Sequence, residues 1–246
     1  MNSITRSYER AFRFSEVKYN QCDFSHITNR RSGLIYTVSL FHEIILKLIT
    51  FIRSIPEFEL LNEQDRFIIV KYNSPIVIYM YFCLHYNRQK NLVLISDAET
   101  EEHAMACQQL SFYCFGVEIE LLSVELYRSI KELTNDDPII LQLILVILIF
   151  TKSVSAEDIV ENEQPIVMSS KQVYEAQSIY ADLLFRYMIE KYSTYDQAAL
   201  RYSKLIQKIF QMQLLARAYQ EYLREQLADT RDDELNPITK SILRIN

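Results

Sequence analysis

The sequence predicts an all-α protein of about nine to twelve helices in three layers with one short β-hairpin, and three observations predict it. Only two of the 246 residues are Gly and five are Pro, while Leu, Ile, Tyr and Glu are abundant. So little turn-forming punctuation reads as mostly helix. Two long segments, starting at Leu34 and Asn62, are apolar on more than one face, and a helix of that kind must be covered on both sides. Two layers cannot do this, so three are expected. Most later segments open on helix-start signals.

Residues 1–33 are Arg-rich and weakly periodic and read as an N-terminal arm or first helix, ending in the turn-like Asn29-Arg30-Arg31-Ser32-Gly33. From Leu34 to Arg53, apolar residues leave His42, Glu43, Lys47 and Thr50 as the main polar members. Pro56 removes an N–H and biases Ile55 out of the helical region, so this helix should stop near Arg53 or Ser54. Asn62 can cap the next helix, with Asp65 in the capping-box position and its charge at the positive helix end. That helix should reach Tyr86, with a kink at Pro75. Leu92 to Ile95 is the best strand candidate, and an acidic segment, Asp97 to Glu102, follows it. Glu118 to Leu133 is amphipathic, and Asp137-Pro138 places a cap and an N1 proline before an apolar run to Phe150. Ser153 to Met168 reads as a polar loop. Ser169 with Gln172 and Thr194 with Gln197 are capping-box pairs before Val173 to Tyr192 and Ala198 to Leu227. An acidic linker, Thr230 to Glu234, leads to Asn236-Pro237 and a short helix, Ile238 to Ile245. The expected organisation is an arm over 1–33, one domain over 34–229, and a tether with a final helix of the same domain over 230–246.

A net charge of −6 with scattered Lys and Arg makes direct contact with nucleic acid by this chain unlikely to be its role. Cys22, Cys83, Cys107 and Cys114 show no C-x-x-C spacing and read as reduced core thiols. The first eighteen residues are polar and charged, unlike a signal peptide. The apolar run Pro138 to Phe150 is short of the ~20 residues a membrane span needs, so no membrane partner is expected. No enzyme is expected either: His26, His42, His85 and His103 are far apart in sequence, and no H-E-x-x-H, G-x-S-x-G or Gly-rich phosphate loop occurs. Glu102-His103 with Cys107 matches no common zinc spacing, so no metal site is expected.

The residues around the Pro56 elbow leave two readings. Arg53 and Lys71 are either solvated cations, or the two flanks of a groove lined by Ile49, Phe58, Phe67 and Val70, where a partner helix docks its apolar face. Phe51, Arg53, Ile55-Pro56, Phe58, Leu61, Asp65 and Ile68-Ile69-Val70-Lys71 resemble, in type and spacing, the signature of nuclear receptor ligand-binding domains. Asp137 to Phe150 resembles the eighth helix of that family. Tyr202-Ser203-Lys204-Leu205-Ile206-Gln207-Lys208 is similar to the tenth helix of the vitamin D and ecdysone receptor branch.

The resemblance, which spans the chain from Leu34 onward, implies a three-layer antiparallel helical sandwich around a lipophilic pocket, closed by a final helix that completes a coregulator groove. It implies a nuclear transcription regulator with no cofactor beyond a lipophilic ligand, and zinc only in a separate DNA-binding domain outside this chain. Partners would be coactivator or corepressor helix peptides, and a second nuclear receptor in a homodimer or heterodimer. By matched position, Arg53 and Lys71 resemble the clamp cations, over Ile49, Phe58, Phe67 and Val70. Pocket positions would be Val38, Phe41, Ile44, Ile78, Tyr79 and Phe82, with Tyr81 or His85 where many members carry a ligand-reading arginine. Leu205, Ile209 and Met212 keep the apolar spacing of the dimer helix, with Gln213 where arginine is frequent.

The departures are as specific. Arg66 replaces a Gln, Ile76 a Glu, and Ser241 stands where the last helix carries the acid of the charge clamp. Phe41 and Ile44 are bulkier than in many members, which implies a small or side-chain-filled pocket. An alternative therefore stands beside the receptor reading: a ligand-independent adaptor or corepressor on the same fold, without a working activation helix. If these residues are the whole protein, the lack of a zinc-finger domain favours it.

Overall fold

Ten α-helices, a 3₁₀ turn and a two-stranded hairpin make up the described residues, which in this computed structural model are 2–13, 24–95, 100–151, 168–230 and 234–243. The first helix, α1 (Asn2–Arg13), is amphipathic and buries Tyr8 and Ala11. The 3₁₀ turn Phe24–His26 leads to α2 (Arg30–Ile52), which starts ahead of Leu34. The stretch read as a turn is a reciprocal cap: the Asn29 side chain accepts from the Ser32 N–H, and Ser32 Oγ accepts from the Asn29 N–H. Gly33 serves helix packing rather than a turn, since a Cβ there would lie 2.7 Å from Cys114 Sγ on the facing helix.

At the elbow α2 stops at Ile52, Ile55 is extended, and Pro56 opens the one-turn α3 (Pro56–Glu59). Asn62 then caps α4 (Glu63–His85) by accepting the Asp65 N–H at 2.8 Å. This helix continues across Pro75. Strands β1 (Tyr86–Asn87) and β2 (Leu92–Val93) pair antiparallel, Tyr86 opposite Val93, with Asn91 at positive φ in the turn.

After Thr100, whose hydroxyl accepts from His103 N, comes α5 (Glu101–Phe115), a helix for which the sequence reading set no limits. Gly116, at φ +93, separates it from α6 (Val117–Thr134). Asp137 caps α7 (Pro138–Ile149) through the Ile139 and Ile140 N–H groups. The polar loop expected from Ser153 falls outside the described residues up to 167. Helix α8 (Ser170–Tyr192) starts at Ser169, α9 (Tyr195–Gln226) at Thr194 and α10 (Pro237–Leu243) after Asn236. Residue Cys22 also lies outside the described residues.

Helix α4 is packed against α2, α6, α7, α9 and α10, which is why it is apolar on every side. By length and composition α2 and α4 could each cross a membrane. Both instead have other helices laid along them, and their buried residues join one hydrophobic core that extends from Tyr8 to Ile242. The described residues are thus mostly helical with one short hairpin, as the chain's punctuation predicts. Cys83 and Cys114 are buried and Cys107 is half-buried, and among the described residues no disulfide joins them.

Candidate functional site

Two features invite function: the outer face of the Pro56 elbow, and a cavity behind α2 and α4. At the elbow, Phe51, Ile52, Ile55, Phe58 and Leu61 turn inward and are nearly inaccessible. The expected groove floor therefore needs one correction: Phe58, 3% exposed, belongs to the core beneath the corner. Ile49 and Val70 are half-buried, and Phe67 is 60% exposed. Lys71 Nζ lies 6.0 Å from the Phe67 ring centre and 5.8 Å from that of Tyr72, so its cation faces aromatic surface. Arg53 Nε is 3.3 Å from Glu59 Oε1, and Arg66 is 2.8 Å from Glu59 Oε2. Arg53 and Arg66 thus share one acid.

The last helix, α10, packs against both α2 and α4, the helices that carry these residues. Thr239 and Ile242 point inward. His42 Nδ1 is 3.1 Å from Thr239 Oγ1, and Gln220 Nε2 donates to the Ile242 carbonyl at 3.1 Å. Ser241 is half-buried and Ile238 is exposed.

Asp65 holds the elbow to the rest of the molecule. It accepts the N–H groups of Met168 and Ser169, at 2.9 and 2.8 Å, and the Asn62 amide at 2.6 Å. Burial opposes its charge, but the donors from Ser169, Met168 and Asn62 outweigh burial and hold the carboxyl below its ordinary value. The capping roles expected from sequence are thus redistributed. The Ser169 side chain makes no cap bond for α8; a carboxylate from another helix takes the free N–H groups there.

The cavity has a volume of about 130 Å³. Of the eight pocket residues expected, Phe41, Ile44, Tyr79 and Phe82 line it. Val38 and Ile78 are core residues, 1% and 2% exposed. Tyr81 is fully buried, its ring 4.9 Å from Phe12, and it donates to the Ile95 carbonyl. His85 donates from Nδ1 to the Leu94 carbonyl at 3.0 Å, which leaves Nε2 to accept the Tyr8 hydroxyl at 2.8 Å. Helix α1 and the hairpin therefore use the two polar residues that were expected to read a ligand.

The cavity's polar side comes from residues the sequence reading missed. Glu120, 9% exposed, lies on its wall with Ser111, Tyr127 and Tyr219. The Tyr219 hydroxyl donates to Glu120 Oε1; Ser111 also bonds the carboxylate, and Tyr79 bonds Tyr219. Burial raises the Glu120 carboxyl above its ordinary value, against the pull of the Tyr219 and Ser111 hydroxyls. A signal was present in the sequence: Glu120 shares its helical phase with Ser123, Val124, Tyr127 and Ile130, all buried, so an acid sits on an inward stripe.

The expected dimer residues are also corrected. Leu205, Ile209 and Met212 are buried, and Gln213 is half-buried. Leu205, Ile209 and Met212 share the inward stripe of α9 with Ala216, Tyr219 and Leu223. At 3.6 residues per turn, Leu200, Phe210 and Leu214 fall on the opposite side, and these are the exposed apolar residues. His103 Nε2 and Cys107 Sγ are 3.3 Å apart one turn along α5, and among the described residues no three His, Cys, Asp or Glu side chains form a metal-binding group. No protein-family model matches the chain, and no curated protein matches it significantly.

Proposed function

We propose that this chain is a divergent nuclear receptor ligand-binding domain that regulates transcription by binding a lipophilic ligand and recruiting coregulator helices. One observation carries the reading. Phe67 stands exposed beside Lys71 near the start of α4, Ile49 and Arg53 close α2, and α10 lies against both helices. In this reading the helices form the family's three-layer antiparallel sandwich, and a partner helix lays its apolar face on Ile49, Phe67 and Val70 between the two cations. The protein acts in the nucleus, catalyses no reaction, needs no cofactor and contacts neither membrane nor nucleic acid itself. It pairs with a second receptor, or a second copy, through the outer face of α9.

The test is binding of a Leu-x-x-Leu-Leu peptide. Lys71→Ala should weaken it about tenfold, the scale of one charge-assisted contact to a helix end; unchanged affinity sinks the groove assignment. A second reading, a ligand-independent adaptor or corepressor on this fold, is favoured by Ser241 at the acid position of the clamp and by the small cavity. Tighter binding of a longer corepressor helix than of the Leu-x-x-Leu-Leu peptide, by the ligand-free chain, would select it.

A further inference from the structure

We infer that the cavity is a site for a small aromatic amine, its ammonium group held by Glu120 and its ring by the aromatic wall. The inference rests on the reading of this cavity as a ligand site, and it names the class of ligand. Size comes first. At about 130 Å³ the cavity is too small for a lipid or a steroid; an apolar cavity of about 150 Å³ takes up a molecule such as benzene.

Chemistry narrows the choice. Phe41, Phe82, Tyr79, Tyr127 and Tyr219 present five aromatic rings to the space. Among the described lining residues Glu120 is the one carboxylate, and there is no Lys, Arg or His. An acid ligand would meet a buried acid with no cation to receive it. A neutral ligand would leave that acid with only its hydroxyl donors, Tyr219 and Ser111. An ammonium group supplies the missing counter-charge and also gains from the aromatic faces. Burial makes the charge on Glu120 costly, so a cationic ligand offsets a penalty the protein already carries.

The experiment uses the unmodified chain and four probes of one size: benzylamine, benzyl alcohol, toluene and benzoate, followed by ligand-observed NMR and thermal shift. Benzylamine should bind at least about tenfold more tightly than benzyl alcohol or toluene, the scale of one charge-assisted hydrogen bond, and benzoate should not bind. Equal binding of the alcohol, binding of benzoate, or no binding of benzylamine overturns the inference. Glu120→Gln should remove the preference for the amine and leave toluene unchanged; a preference that survives the substitution also overturns it. The same samples are titrated with the Leu-x-x-Leu-Leu peptide. Lys71-dependent peptide binding without amine binding overturns this inference alone, whereas amine binding without peptide binding overturns the receptor reading alone.

Discussion

Asp65 and Glu120 are both buried acids on helices, and their surroundings push them in opposite directions. Asp65 sits where two helices begin, and the free N–H groups of Met168 and Ser169 point at it. Helix starts supply free N–H donors, and at Asp65 these outweigh the burial that opposes its charge. Glu120 lies in the first turn of α6, and its donors are the side-chain hydroxyls of Tyr219 and Ser111. The difference teaches that the donors reaching a buried first-turn acid, backbone N–H groups of a second helix start or side-chain hydroxyls alone, decide whether its carboxylate is held below or above its ordinary value.

The largest expected effect would break the Asp65 side of this comparison. Asp65→Ala leaves the Met168 and Ser169 N–H groups without their acceptor and removes one of the two acceptors of the Asn62 amide, and should cost about 3 kcal/mol in urea unfolding at neutral pH. A loss under about 1 kcal/mol would show that water satisfies those groups. Next in size, Glu120→Gln removes a charge while keeping an acceptor for Tyr219, and should raise stability by about 1 kcal/mol in the same assay. A destabilised Glu120→Gln chain would mean that Glu120 is as fully paired as Asp65.

The smallest effect is in pH dependence, and it sharpens the contrast. The folded Asp65 and Asp137 carboxyls release their protons more readily than in the unfolded chain. Asp137 does so because the Lys191, Tyr187 and Ile139 donors outweigh its burial. Their stabilisation is present above the ordinary value of 3.8 and is lost as pH falls through the lower folded values. Glu120 behaves in reverse: the folded chain holds its proton more tightly, so its contribution declines as pH rises from 4.5. Glu120→Gln should therefore flatten stability between pH 4.5 and neutrality without changing the acid limb. An unchanged slope above 4.5 would contradict the assignment.

The positions of helices were legible because their signals act over three or four residues. Pro56, Asn62, Asp137-Pro138 and Thr194 start helices by themselves, since a missing N–H or a capping oxygen finds its partner within one turn. The elbow that carries Arg53 and Lys71, and the helical class of the chain, follow from such local chemistry together with the apolar breadth of α2 and α4. Which way a side chain faces does not. Leu205, Ile209 and Met212 read equally well as a dimer stripe or a core stripe, because the period is the same and only the packing of α6 and α8 on α9 chooses. Tyr81 and His85 sit at plausible pocket positions until Tyr8 of α1 and the Leu94 and Ile95 carbonyls after β2 take them. Gly33 looks like a turn until Cys114 fills the space beside it. By itself the sequence determined the Pro56 elbow and the starts of the helices at Asn62, Asp137 and Thr194; the tertiary structure alone decided that Asp65 would cap a distant helix and that Glu120 would face a cavity. Those assignments depend on groups about one hundred residues apart being brought within hydrogen-bond reach, and no interaction inside a single turn encodes that distance.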